Sequence, residues 1–478
     1  MRKLFIVLLV IGAVFGTGIF LVWRWANTKG GLKSAVVQTV AENFVSNPEE
    51  SSVVPKILGF EKPQTYLVLF LNNTEIRPGG GFIGAYSVVR FDKGMPQILK
   101  VEGTEILDNL APQDFPSVPP EPLQKYLPVK RWGFRDSNWS PDFAVSSMQS
   151  LDLFRKEKGV AAQEISGVIG ITPTLLEEIL RISGPITVNG EEFNADNFTE
   201  KLEYEVEFGF AENGQSFDER KKILADLSHA FLARLKGDIF KHWSKYLALS
   251  QKMFLEKHIL AYSSDAQVQK ILLARGWGGV MKDAQSDFVL WADANLASLK
   301  TDKVIDRELL YSFVPSSTGG YVGTVKMKYV NKGSFTKFTS RYRTYARVYL
   351  PLGSRFISVS GSMKVERSPE VGVVDQGVEN GRQWFGTFIS IEPGKTGELA
   401  WQFYLAPSVV ASIKNNAYSL LVQKQLGTID HKLTLDFNFA KNISSAIPSE
   451  EKKNIGDQKY TYQTDLTVDR DFYLQFAN

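Results

Sequence analysis

The sequence predicts an α/β domain with a mixed sheet and a helical block, followed by an all-β sandwich, behind a single N-terminal transmembrane helix. Three observations carry that expectation. Leu4–Trp23 is an apolar run interrupted only by Thr17 and three glycines. Between residues 63 and 274, strand-like runs give way to strand–helix–strand and then to a block of helix-patterned stretches, the order of an α/β domain. From about Arg307 the texture changes, and short strand-like runs alternate with turn signals.

Composition narrows the function classes. At 478 residues the chain is too long for one ordinary core. A net charge of +3, from 55 basic against 52 acidic residues, gives no global attraction to nucleic acid, which is not expected as a partner. There is no cysteine, which removes disulfides, thiol nucleophiles and thiolate metal sites together. The four histidines (His229, His242, His258, His431) are scattered, so neither a histidine metal cluster nor a Ser-His-Asp triad is expected.

The N-terminal run is about the length needed to cross a bilayer as a helix. Gly16-Thr17-Gly18 has the small residues of a signal cleavage site, but Ile19–Trp23 continues the apolar run past it. Trp23 and Trp25 beside Arg24 suit the membrane interface. Residues 1–25 are therefore expected to be an uncleaved signal anchor. Leu32, Val36, Val37, Val40 and Phe44 recur at helical spacing, so residues 26–54 are expected to be a helical stalk and linker.

The α/β domain is expected over residues 55–304. Tyr66–Leu71 has the composition of a fully buried strand. Asn72-Asn73 ends it, and Glu75, Arg77, Pro78, Gly79, Gly80 and Gly81 lead into a second strand, Phe82–Phe91. Three glycines free the backbone to present its N–H groups, and the Arg77 guanidinium suits a carboxylate or phosphate. The loop reads equally as an anion-binding corner or as a tight hairpin with a surface ion pair. Phe82–Phe91 and Gln97–Val101 should pair through Asp92-Lys93-Gly94. The proline-dense stretch Ala111–Pro128 is a stiff surface loop or the rim of a site.

A second motif follows, Trp132–Phe143 (WGFRDSNWSPDF). Ser140-Pro141-Asp142 has the pattern of a helix start, with Ser140 as N-cap. Arg135 and Asp136 precede that start, where anions and metal-bound phosphates bind. Gly167–Ile171 is expected as a strand, Thr172–Ser183 as a capped helix closed by Gly184, and Pro185–Val188 as a returning strand. Helices are expected at about Ala195–Val206, Asp218–Lys236, Ile239–Tyr262 and Ser264–Ala274, and Asp287–Leu296 as the domain's last strand.

The sandwich, residues 305–478, is expected to be immunoglobulin-like and to fold by itself. Its strands are Leu309–Val314, Tyr321–Val330, Arg341–Leu350, Phe356–Ser360, Trp384–Ile391, Gly397–Leu405, Tyr418–Lys424 and His431–Phe437, with Tyr460–Phe476 as a closing strand.

NNTEIRPGGGFIG followed by WGFRDSNWSPDF resembles the bacterial family known as domain of unknown function 4012, from about Pro63 to near the C-terminus. That resemblance implies a membrane-anchored protein of the cell envelope with an extracytoplasmic body, and no established activity. More loosely, GVIGITPTLLEEILRISGPITVNG followed by ERKKILADLSHAFLARL resembles the LytR–CpsA–Psr phosphotransferases. Those enzymes move polymers from polyprenyl pyrophosphate carriers to the cell wall, gripping pyrophosphate with arginines and using a carboxylate-held Mg2+.

Three functions follow: an envelope protein whose α/β domain binds an anionic, phosphate-containing ligand, such a phosphotransferase, or a structural or adhesive surface protein. The candidate ligand-binding residues are Asn73, Arg77, Gly79, Gly80, Gly81, Arg135, Asn138 and Arg220, the last equally readable as a solvated helix face. The candidate catalytic acids are Asp136, Glu75 and Asp142, with Asp136 also the candidate Mg2+ ligand. The expected partners are the membrane and a cell-wall polymer or lipid-linked precursor.

Overall fold

The computed structural model describes residues 48–477, except 113, 115–116, 128, 210–213, 215–221 and 451–455. The expected signal anchor, the stalk up to residue 47, and Arg220 lie outside the described residues. Among the described residues no helix is long and apolar enough to cross a membrane.

A short helix, α1 (Pro48–Ile57), leads into β1 (Gln64–Asn72), whose apolar side chains are buried on both faces of a five-stranded sheet. β1 pairs antiparallel with β2 (Phe82–Asp92) and parallel with β4 (Ile165–Ile171). With β3 (Met95–Gly103) and β7 (Ile259–Ser263) the order is β3-β2-β1-β4-β7, a mixed sheet as expected.

The two-residue period of β1 divides the core. Leu67, Leu69 and Leu71 face one cluster with Phe134 and with Phe143, Leu151 and Phe154, the last three at the start of and along α4 (Phe143–Lys156). Tyr66 and Val68 face the other cluster. That second layer is the helical block: α5 (Pro173–Ser183), α7 (Lys222–Lys241), α8 (Trp243–Leu255) and α9 (Ala266–Ala274). Ile223, Leu227, Phe231 and Leu235 recur every four residues along α7 and bury one stripe there. Shorter elements complete this half: α2 (Thr104–Leu110), α3 (Glu121–Tyr126) within the proline-dense stretch, the β5–β6 hairpin (Ile186–Val188, Glu191–Phe193) and α6 (Phe198–Tyr204).

Two expectations fail here. The stretch Ile239–Tyr262 is not one helix, because Ile259–Ser263 is edge strand β7, paired antiparallel with β4. A short apolar run abutting a helix pattern has no period of its own to reveal it. Asp287–Asn295 (β8) does not close the first sheet either. It pairs antiparallel with β11 (Tyr342–Pro351) and parallel with β16 (Ala417–Gln423), in the middle of a seven-stranded sheet.

That sheet, in the order β13-β14-β11-β8-β16-β20-β18, packs against a six-stranded one, β12-β15-β10-β9-β17-β19. The remaining strands are β9 (Ile305–Pro315), β10 (Tyr321–Asn331), β12 (Arg355–Ser360), β13 (Asp375–Glu379), β14 (Arg382–Ile391), β15 (Thr396–Tyr404), β17 (Lys432–Asn438), β18 (Ile443–Ile447), β19 (Lys459–Asp465) and β20 (Arg470–Phe476), with helix α10 (Pro407–Lys414) between β15 and β16. One core spans both sheets, with Val289, Trp291 and Phe385 from one and Tyr311, Trp401 and Phe437 from the other. The sandwich stands, but the immunoglobulin pattern does not. Thirteen strands with parallel pairs β8·β16 and β9·β17 exceed the seven to nine strands of an immunoglobulin domain. The closing segment is two strands, β19 and β20, one in each sheet.

Candidate functional site

The glycine loop begins where β1 stops. The Asn72 side chain accepts from the backbone N–H of Thr74 at 3.0 Å and from its hydroxyl at 2.7 Å, which turns the chain out of the sheet. Gly80 and Gly81 hold φ of +114° and +138°, values that side-chain-bearing residues rarely adopt. Gly79 is needed for proximity, since a Cβ there would lie 2.7 Å from the Asn138 Cβ.

The two motifs therefore touch directly. Gly79 N–H donates to the Asn138 carbonyl at 3.0 Å, and Asn138 Nδ2 donates to the Gly81 carbonyl at 2.7 Å. Gly80 N–H donates to the Arg77 carbonyl at 3.0 Å. The Gly79 and Gly80 N–H groups, expected to face an anion, are spent closing the loop, and Gly79, Gly80 and Gly81 are all buried.

Arg77 is 3 % exposed and lies over the Phe82 ring, 5.3 Å from its centroid. Its Nη2 sits 3.5 Å from Glu75 Oε1 and 3.4 Å from Asp136 Oδ1, and its Nη1 donates to the Asn295 carbonyl. Burial pushes the Asp136 carboxyl up from its ordinary value, opposed chiefly by the charges of Arg77 and Arg135. Burial likewise raises Glu75, opposed by Arg77 and Lys300. Asp136 thus serves one cation already present, and among the described residues no group of three or more His, Asp or Glu is arranged to hold a metal ion.

Some of the loop's partners stay in the α/β half, Asn73 Nδ2 donating to Thr174 at 3.1 Å and the Thr74 hydroxyl to Glu203 at 2.7 Å, and the others belong to the sandwich. Ile76 N–H donates to Asp302 Oδ2 at 3.0 Å, and Asn295 N–H donates to the Ile76 carbonyl at 2.9 Å. Asp302 in turn pairs with Arg307, which also holds Asp293 at 2.9 Å and Tyr342 at 2.6 Å. Gln425 Nε2 donates to the Arg77 carbonyl at 3.3 Å, and Asn73 Nδ2 donates to the Gly427 carbonyl at 3.0 Å. A second buried junction lies alongside, where Asp469 accepts from Lys257 at 2.5 Å and from Lys282 at 2.8 Å. Burial, then the neighbouring charge of Lys257, brings the Lys424 ammonium there down to about 7.

The other candidates divide. Arg135 is one-third exposed and pairs with Asp108, not with Asp136. Asp142, rather than Ser140, caps α4, accepting from Ala144 and Val145 at 2.9 and 3.1 Å. Its second oxygen takes Met281 N–H at 2.8 Å, so Asp142 is a joint in the fold. Ser140 instead donates to Glu379 of the sandwich.

Sequence reasoning missed the acids beneath the second motif. Asp108 and Glu157 are 5 % and 3 % exposed, and each has one carboxyl oxygen, Asp108 Oδ1 and Glu157 Oε2, without a hydrogen-bond partner. Both come from the ends of helices, and no local signal marks them. Gln425 was equally invisible, since it acts on Arg77, 348 positions away in sequence, and so was Arg307, whose partners Asp293, Asp302 and Tyr342 are gathered only by the folded sandwich.

Residues 61–206 match the family model described as "Protein of unknown function (DUF4012)", the segment holding both motifs, and the match supports that family. No curated protein matches the chain. Among solved structures, a Streptococcus agalactiae protein is 10 % identical, covering 46 % of this chain and 75 % of its own, at a TM-score of 0.25. A Listeria innocua protein is 10 % identical over 48 % of this chain and 84 % of its own, at 0.25. A Legionella pneumophila protein, provisionally called nutrient binding, is 8 % identical over 40 % and 72 %, at 0.26. Similarity at this level carries no argument about fold or activity.

Proposed function

We propose that the chain is a membrane-anchored, extracytoplasmic protein of the cell envelope, and that its paired motifs weld the α/β and sandwich halves into one rigid body. The buried Arg77 guanidinium carries this reading. It is shared between Glu75, Asp136 and the carbonyl of sandwich residue Asn295, and so joins both motifs to the second half. The apolar run Leu4–Trp23 supports the anchor. Such a body holds a binding surface at a fixed distance from the membrane, and its ligand need not touch the motifs.

The test is Arg77→Ala. Removing one partner of a buried ion pair leaves two carboxylates without their nearest cation and should cost about 3–5 kcal/mol. Chemical denaturation should show that loss, with both halves unfolding earlier. The phosphotransferase alternative predicts a nearly unchanged stability, with loss of pyrophosphate binding in Arg77→Ala and of Mg2+ dependence in Asp136→Asn. That pattern would refute the weld.

A further inference from the structure

The sandwich carries a groove of about 330 Å3 where the β9–β10 turn, the start of β12 and helix α10 meet. That is the lower end of the range for small-molecule sites. Tyr321, Leu405 and Val410 supply apolar wall, Arg355 and Lys414 supply charge, and no carboxylate lines it.

The two cations are unlike other cations of the sandwich. Lys326 pairs with Glu398, Lys328 and Lys432 with Glu308, and Arg341 with Glu392. Among the described residues neither Arg355 nor Lys414 has an ion-pair partner. Arg355 is steadied instead by the Tyr404 ring, its guanidinium 5.1 Å from the centroid, which leaves the N–H fork uncommitted. The last carbonyls of the Lys414 helix are bonded by another lysine. Lys441 Nζ already donates to the Ile413 and Lys414 carbonyls at 3.1 and 3.2 Å. Two uncompensated cations against an apolar wall concentrate positive potential and attract an anion.

We propose that this groove binds an acidic saccharide unit, a sugar ring bearing phosphate or carboxylate. Arg355 and Lys414 take the acid, and the Tyr321, Leu405 and Val410 wall takes the carbon face of the ring. The chemistry rests on the groove alone, whereas an envelope polymer as its source rests on the function proposed above.

Titration calorimetry on the full-length chain in detergent micelles tests it, with glucose 1-phosphate, glucuronate, glucose and inorganic phosphate as probes. Both acidic sugars should bind at least tenfold more tightly than glucose or phosphate, and more weakly as salt rises. Arg355→Gln and Lys414→Gln should each weaken them about tenfold, with melting temperature unchanged, while Lys326→Gln should leave binding intact. Equal binding of glucose, equal binding of inorganic phosphate, no binding of either acid, or wild-type affinity in the double variant would overturn the assignment. Protease mapping that placed the body in the cytoplasm would remove the envelope polymer and leave the groove's binding result standing.

Discussion

Glu157→Gln should stabilise the protein at pH 8. The Glu157 carboxyl accepts Phe134 N–H through Oε1 at 2.8 Å, while Oε2 and Asp108 Oδ1 lack partners. A proton on Glu157 gives this pair the donor it lacks. Burial, then the charge of Asp108 and a hydrogen bond to it, pushes Glu157 from 4.5 up to about 8. The folded protein therefore keeps a proton that the unfolded chain releases near 4.5. The stability from that proton is fully present below about 4.5, falls as pH rises towards 8, and is absent above. At about 1.4 kcal/mol for each tenfold change in proton affinity, the ceiling is about 5 kcal/mol. That ceiling already includes the opposing charge of Arg131, and relaxation around the second charge lowers it further, so about 2–3 kcal/mol is the expected loss, in line with a partly compensated buried charge. Glutamine keeps an acceptor for Phe134 and supplies a permanent N–H for Asp108. Urea denaturation of both proteins at several pH values between 4.5 and 9 measures the difference. The wild-type decline should flatten in Glu157→Gln, and the variant should be the more stable at pH 8. A variant that declines in parallel, or is less stable at pH 8, would refute the shared proton.

Other outcomes test the architecture. Gly427→Ala would place a Cβ 2.0 Å from the Gly80 carbonyl oxygen at φ +75°, and thermal denaturation should show a loss of roughly 3 kcal/mol or more. A fragment spanning 285–478 should unfold cooperatively, whereas 305–478 should not, because it lacks β8 and with it Val289 and Trp291 from the sandwich core; two equally cooperative transitions would refute that role for β8. Protease added to intact spheroplasts should digest the body, and full protection would reverse the proposed orientation.

Much of the fold was legible because periodicity is a local property. β1 could be read from Tyr66–Leu71, α5 from its Pro173 start and Gly184 stop, and most sandwich strands from alternation between turn signals. The motifs could be read as unusual, each placing an arginine and acids beside glycine or a helix start. Their task could not be read. An arginine beside glycines has the same local pattern whether its fork meets a ligand or the carbonyl of a residue 218 positions away. β8 was placed in the wrong sheet for the same reason, since the pairing partner of a short apolar run is chosen by non-local burial, while β7 was read as helix because it abuts a helix pattern. The sequence by itself determined the elements, their faces and the residues able to carry charge. Only the tertiary structure decided which charges are paired, because burial and distance arise when segments far apart in the chain pack together: it enclosed Arg77 between two carboxylates and left Arg355 and Lys414 facing a groove.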